Sequence, residues 1–220
     1  MVRYTHYDIT NASYEEFIAF LFDHVPVPKG SAGPPFWYWG AHVTFDPQRV
    51  ASLYIRLFTE PAALLEQYTR PQLEQGFWAI QSRNLECSIA GVIWDHAIPV
   101  EIRERCLRSM FHLFERLFAH DPLDTAVQMW WDSLAYDWHC HNRSRENGGE
   151  DRRMQDVMFE TLSKILGLSS AIAQAAALHG LGHLHHPDTE TLIAGYLASN
   201  PSIDSSMREY ALMAARFEVL

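Results

Sequence analysis

The chain has 220 residues, of which 48% are hydrophobic and 20% charged, a composition typical of an ordinary globular protein with a substantial core. Its 17 Lys and Arg against 27 Asp and Glu give a net charge of −10, which argues against a nucleic-acid partner. The strongest basic cluster, Arg143, Arg145, Arg152 and Arg153, is interleaved with acidic residues, so we expect a solvated loop there.

Cysteine usage and the amino terminus indicate the compartment. Cys87, Cys106 and Cys140 are an odd number without CxxC spacing, and the chain starts without a basic-then-apolar signal pattern. We therefore expect a cytoplasmic protein. Residues 165–187 carry no Asp, Glu, Lys or Arg, but their four histidines, glutamine and two serines favour a packed helix over a membrane span.

Helix signals dominate the chain from its start. Ser13 and Glu16 have capping-box spacing and predict a first helix. Residues 25–40 hold four prolines and three glycines, which predicts a long loop. Asp46 followed by Pro47 then supplies an N-cap and a first-position proline for a second helix.

The middle of the chain predicts a pair of antiparallel helices over residues 99–138. The first is apolar around most of its circumference, which is typical of a helix packed on two sides. The second is predicted to start at Asp121 and Pro122, where the Asp-Pro start recurs. Its expected buried face consists of Leu123, Val127, Trp130, Leu134 and Trp138. A polar loop with Gly148 and Gly149 follows, and a helix is expected to resume at about Asp151.

The last third is repetitive. Ile172 and Ala176 correspond to Met207 and Ala211, an offset of 35 residues (211 − 176), which favours a helical repeat array. The runs ALHGLGHL, HHPDTE and TLIAGYL resemble the short HEAT-like repeats of phycobilisome lyases over residues 170–219. The whole chain is also similar to bacterial HEAT-like proteins.

This resemblance implies an all-α fold in which antiparallel helical hairpins stack as an α-α superhelix, here expected to form one domain over residues 1–220. It also implies a binding surface for another protein. Lyase chemistry is only a remote third hypothesis, since such repeats are shared by many functions. Gly180 and Gly182 independently favour close helix packing, because glycine is otherwise costly inside a helix.

Four histidines, His179, His183, His185 and His186, raise the question of a metal site. His179 and His183 have the i, i+4 spacing with which two imidazoles can share zinc, although the glutamate of a HExxH motif is missing. Asp188 or Glu190 could be a third ligand. We favour a polar, partly packed helix face without a cofactor, because the opposite face carries three leucines that we expect in the core, Leu178, Leu181 and Leu184.

A second candidate is DWHCHN, with Asp137, His139, Cys140 and His141 at a predicted helix end. Histidines there interact well with the helix dipole without any catalytic role. A functional role becomes much stronger if this cluster converges in space on His179 and His183.

A third candidate is the aromatic loop PPFWYWG, which includes Trp37 and Trp39. Aromatic residues on a loop form either a lid over the helical core or a recognition surface, and we favour the lid.

Two functional hypotheses remain. We favour a non-catalytic helical scaffold that binds a protein partner through His179, His183, Trp37 and Trp39. The alternative is a metal- or histidine-dependent, hydrolase-like enzyme that uses four histidines, His179, His183, His139 and His141. The chain contains no GxxxxGK[ST], GxSxG or GxGxxG motif, which excludes the known nucleotide and acyl-transfer sites that these motifs form.

Overall fold

A computed structural model describes residues 4–28, 36–121 and 123–219. Helices dominate these residues, so the predicted all-α class is confirmed. Contacts between Cα atoms divide the chain into unit 1, Met1–Arg116 with Leu123–Ala126, and unit 2, Leu117–Pro122 with Val127–Leu220. The predicted helix pair at 99–138 is thus divided between the units, and the single domain stays a prediction.

Unit 1 contains six α-helices, two short 3-10 helices (Trp37–Trp39 and Pro61–Ala63) and a pair of short strands among its described residues. The helices are α1 (Tyr14–Phe22), α2 (Pro47–Thr59), α3 (Leu64–Gln67), α4 (Arg70–Gln81), α5 (Ile89–Trp94) and α6 (Val100–Leu113). Helix α2 packs on α6, and α1 packs on α4. A π-helical turn, Phe114–Phe118, continues α6.

The predicted helix starts of unit 1 are confirmed by their caps. The Ser13 hydroxyl accepts from the Glu16 backbone N–H at 3.2 Å, and the Glu16 carboxylate accepts from the Ser13 N–H at 2.7 Å. Asp46 accepts from the backbone N–H of Arg49 at 2.6 Å, with Pro47 at the first helical position. Local hydrogen bonds therefore fix both starts.

Two strands were not predicted. β1 (Thr5–Asp8) pairs in parallel with β2 (Ala41–Thr44). Their side chains lie mostly at the surface, so the sequence shows no alternation of buried and exposed residues. The strands are too short to change the fold class.

Unit 2 is built around one central helix. Its described helices are α7 (Asp132–His139), α8 (Gly149–Leu166), α9 (Ala171–Leu184), α10 (Thr189–Ser199) and α11 (Ser205–Ala215). Helix α9 contacts α7, α8 and α11. A Cβ on Gly180 would lie only 2.8 Å from Trp131 and Leu162, and one on Gly182 would clash with Val219, so both glycines allow the close packing that was predicted.

The helix predicted to start at Asp121 begins later, at Asp132, because distant side chains bind its first residues. The Glu74 carboxylate accepts from the backbone N–H groups of three consecutive residues, Asp124, Thr125 and Ala126. Gln81 donates to the Ala126 carbonyl at 2.9 Å. These bonds replace those of a first helical turn. The predicted apolar positions are still buried, with exposures of 6% or less.

Helices α9 and α11, which the 35-residue offset relates, pack on each other. Ala176 and Ala211, at equivalent positions, are both fully buried. Superhelical stacking of such hairpins stays a prediction. None of the helices within the described ranges combines the length and apolarity needed to cross a membrane.

The three cysteines are free thiols in different environments. Cys87 and Cys106 are buried, whereas Cys140 is exposed just after α7. Burial raises the pKa of Cys87 to about 12 and also raises that of Cys106.

Candidate metal centre

Two helices of unit 2 bring polar side chains together. On α7, Asp132, Tyr136 and His139 are spaced i, i+4 and i+7 and therefore share one face. On α9, His179 and His183 are spaced i, i+4. Because α7 packs against α9, these two faces meet.

Asp132, His179 and His183 form a group of three metal-ligand types whose ligand atoms all lie within 4.8 Å of one another. Asp132 Oδ1 is 2.8 Å from His179 Nε2 and 3.9 Å from His183 Nε2. The two imidazole rings are nearly perpendicular, with centroids 4.5 Å apart. We call these three residues the metal triad.

The triad is buried on one side and open on the other. His179 and His183 are each 1% exposed, whereas the Asp132 side chain keeps 34% of its surface in solvent. The three leucines of the opposite face, Leu178, Leu181 and Leu184, are fully buried as predicted. The two histidines are therefore more deeply buried than the partly packed face that the sequence predicts, and partner binding through them stays a prediction.

His179 has a partner for each ring nitrogen. Its Nε2 lies 2.8 Å from the Asp132 carboxylate and its Nδ1 lies 2.7 Å from the Tyr210 hydroxyl on α11, and the tautomer sets which ring nitrogen donates. Gln128 hydrogen-bonds the Tyr210 oxygen in turn. This chain of bonds holds the His179 ring in one orientation, and in the tautomer that donates from Nδ1 to Tyr210, Nε2 is the nitrogen left to bind an ion.

His183 is not satisfied in the same way. Its Nδ1 is buried without a hydrogen-bond partner, and its Nε2 lies beyond hydrogen-bonding distance of Asp132. Burial and then the nearby His179 lower the pKa of His183 to about 4, against the opposing effect of Asp132. The ring is therefore neutral at pH 7, which is the form that binds metals.

The second predicted histidine cluster converges on the first. The His139 and His183 rings are 5.1 Å apart, and His139 Nδ1 is 3.2 Å from His185 Nε2. The His141 ring lies 6.3 Å from that of His185. Asp137 is not part of this group, because it faces the Arg143 guanidinium at 3.7 Å.

Sequence reasoning missed Asp132 and Tyr210. Asp132 could have been found from its i, i+4, i+7 spacing with Tyr136 and His139, which places the three on one helix face. Tyr210 lies more than thirty residues after His179 on another helix, so no local pattern indicates it. The proposed third ligand Asp188 instead lies 3.9 Å from His186 Nδ1, and Glu190 is exposed in the first turn of α10.

No protein-family model, curated protein or solved structure matches the chain. The HEAT-like resemblance therefore stays a prediction, and any function must be argued from the residues of the site.

The aromatic loop lies in unit 1 and is divided between packing and exposure. Trp37 stacks on His24, with centroids 3.9 Å apart, and meets Phe20 edge-on at 5.3 Å. Trp39 is 50% exposed. Trp37 thus packs on unit 1 and Trp39 is half exposed, and the choice between a lid and a recognition surface stays a prediction. Positions 29–35 of the predicted loop lie outside the described residues.

Proposed function

We propose that unit 2 binds a transition-metal ion of the zinc class through Asp132, His179 and His183, and that this centre serves hydrolase-like chemistry. The observation that carries the proposal is the convergence of three ligand atoms within 4.8 Å from two packed helices. Imidazole and carboxylate ligands of this kind suit zinc.

The number of ligands favours a catalytic over a purely structural site. Structural zinc sites use four protein ligands, whereas catalytic sites use three and leave a position for water or substrate. A bound ion of this class lowers the pKa of coordinated water to about 7 and polarises a carbonyl or phosphoryl oxygen. The exposed side of Asp132 gives small molecules access to that position.

His183 distinguishes this proposal from simple packing. A buried polar atom without a partner costs about 1–3 kcal/mol, so a histidine that only fills space is a poor choice here. An ion bound to Nε2 would give the ring a bonding role but would leave Nδ1 without a partner, so the case for coordination rests on the position of Nε2 near Asp132 and on the lowered pKa, which leaves the ring unprotonated at pH 7.

Metal binding to the purified full-length chain tests the proposal. After chelator treatment, the triad is expected to bind one equivalent of Zn²⁺ tightly, as measured by calorimetry. The affinity of this site is expected to fall on the order of 100-fold or more in His183→Gln and in Asp132→Asn. His186→Gln is the matched control, because His186 is also buried but pairs with Asp156 at 3.0 Å. Unchanged binding in both triad variants contradicts the proposal.

A protein-binding scaffold is the second proposed function, and the exposed Trp39 favours it. Aromatic side chains offer large contact area at low entropic cost, and they often dominate interfaces. A partner complex that survives Trp39→Ala unchanged argues against this role.

The three free cysteines agree with the expected cytoplasmic location, where thiols stay reduced.

A further inference from the structure

A second group of imidazoles lies beside the metal triad and uses none of its ligands. His139 follows Tyr136 along α7, His185 is the residue directly after α9, and His141 comes just after α7. His139 and His185 are partly exposed, and His141 is exposed. An ion can therefore reach this group from solvent.

The spacing of two of its nitrogens matches metal coordination. His139 Nδ1 and His185 Nε2 are 3.2 Å apart, with their rings nearly perpendicular. Two nitrogens on one tetrahedral zinc, each at about 2.0–2.1 Å, are separated by about 3.4 Å. A small outward movement of the two nitrogens therefore makes room for an ion.

Neighbouring aromatic rings hold these imidazoles in place. Tyr136 stacks on His139 with centroids 5.2 Å apart, and Phe217 stacks on His185 at 4.4 Å. Two donors held near ligand spacing lose little conformational freedom when an ion binds.

Three residues in or beside this group have a left-handed backbone conformation. His141, His185 and Phe217 have φ of 57°, 53° and 59°, and they are the non-glycine residues with positive φ in the described part of the chain. Each of them comes at the C-terminal end of a helix, where a left-handed residue is a common way to end the helix. All three lie in or beside this group, and the His185 ring is 5.2 Å from that of His139.

We propose that His139 and His185 form a second transition-metal site, separate from the metal triad, with His141 as the third ligand. The His141 ring is 6.3 Å from His185, and its exposed side chain can rotate to join the pair. Ligands consisting of imidazoles alone suit Zn²⁺, Cu²⁺ and Ni²⁺. The His183 ring is 5.1 Å from that of His139, so the two sites lie side by side.

Counting bound metal in variants of each site tests this proposal. Chelator-treated full-length protein is titrated with Zn²⁺ and its stoichiometry is read by native mass spectrometry and calorimetry. The unchanged protein is expected to bind two ions. His139→Gln and His185→Gln are each expected to lose one, with at least a tenfold weaker apparent affinity at that site. His42→Gln, an exposed histidine of unit 1, is the control and keeps both ions.

Variants of the triad separate the two proposals. Asp132→Asn removes an ion from the triad and leaves the one at His139 and His185, whatever the function of the triad is. If the triad binds nothing, the protein takes one ion, and His185→Gln abolishes it. Metal stoichiometry that neither His139→Gln nor His185→Gln alters overturns the second site.

A spectroscopic measurement complements the count of bound ions, and circular dichroism shows whether each variant is folded. Asp132→Asn protein loaded with one equivalent of Cu²⁺ is expected to show nitrogen couplings from at least two imidazoles in electron paramagnetic resonance, and adding His185→Gln to this variant is expected to remove at least one of these couplings. The same couplings are expected in the unsubstituted protein when a second equivalent is added. A copper signal without imidazole nitrogens overturns the proposal.

Discussion

Glu74 in unit 1 and Asp132 in unit 2 are both carboxylates that face several polar groups. Glu74 accepts from the backbone N–H groups of residues 124–126, with both oxygens used. Asp132 lies 2.8 Å from His179, but it leaves His183 at 3.9 Å and a third of its own surface in solvent. A satisfied carboxylate network stabilises a fold, whereas a partly satisfied, partly open one offers free ligand positions.

A substitution at His183 should change metal affinity strongly and the stability of the metal-free protein very little. His183→Leu removes a proposed ligand and also a buried nitrogen without a partner. We expect Zn²⁺ affinity at the triad to fall on the order of 100-fold or more, while the free energy of unfolding of the metal-free protein stays equal or rises by about 1 kcal/mol. Calorimetry and urea unfolding measure the two quantities.

His179→Leu is the matched comparison, because it removes two hydrogen bonds, to Asp132 and Tyr210. We expect it to lower the metal-free unfolding free energy by about 2 kcal/mol. If His183→Leu destabilises the metal-free protein as much as His179→Leu does, both histidines are structural and the comparison fails.

The two tryptophans of the aromatic loop in unit 1 are expected to contribute unequally to stability. Trp37→Ala removes the stack on His24 and is expected to cost about 2–4 kcal/mol of unfolding free energy. Trp39→Ala removes a side chain that is half exposed and should cost less than about 1 kcal/mol. Equal losses in thermal unfolding would show that the loop packs as one block.

Helix packing behind the triad can be broken at Gly180. A methyl group there meets Trp131 and Leu162 at 2.8 Å, so Gly180→Ala should lower the unfolding free energy by about 1–3 kcal/mol. Gly195→Ala on α10 is the control, since its methyl group meets no atom within 4 Å and helix propensity should raise stability by about 0.5–1 kcal/mol. Opposite signs in chemical denaturation are the expected result.

Glu74 is the carboxylate that we expect to stabilise the fold without binding metal. Glu74→Gln replaces one acceptor oxygen with an amide N–H₂ group, which leaves at least one of the bound backbone N–H groups unpaired, at a cost of about 1–2 kcal/mol. Glu66→Gln, at an exposed position of α3, is expected to change stability by less than about 0.5 kcal/mol. Metal binding should be the same in both variants, and a loss of metal in Glu74→Gln counts against the distinction.

The smallest expected effect concerns acid stability in unit 2. Burial raises the pKa of Asp151, but hydrogen bonds from Asn147 and Arg143 outweigh it and leave the pKa lowered. A lowered folded-state pKa contributes stability above the unfolded value of about 3.9 and loses it as pH falls through the folded value. Asp151→Asn should therefore lower stability at pH 7 and should lower it less below pH 4. A pH-independent difference in thermal unfolding contradicts this assignment.

The sequence correctly predicted those helix starts that are fixed by hydrogen bonds between residues close together in the chain. The caps at Ser13 and Asp46 use atoms within three residues, so both helix starts were correct. The start at Asp121 was wrong because its N–H groups bind Glu74, about fifty residues away. An Asp-Pro pair gives no information about such a distant acceptor.

The same distinction applies to the site. His179 and His183 were identifiable from their i, i+4 spacing, and His139 and His141 from their proximity in the chain. That these pairs meet, and that Asp132 completes the triad, depends on how α7 packs against α9. The spacing of residues along each helix predicts which side chains share a face, but not which face a neighbouring helix covers.

The contrast among the three thiols has a practical use. Because Cys87 and Cys106 are buried with raised pKa values, a maleimide dye will attach at Cys140 first. That position lies between His139 and His141, so a fluorophore there will be quenched when paramagnetic Cu²⁺ is captured nearby. The molecule thus carries its own attachment point for an optical reporter, without any engineered cysteine.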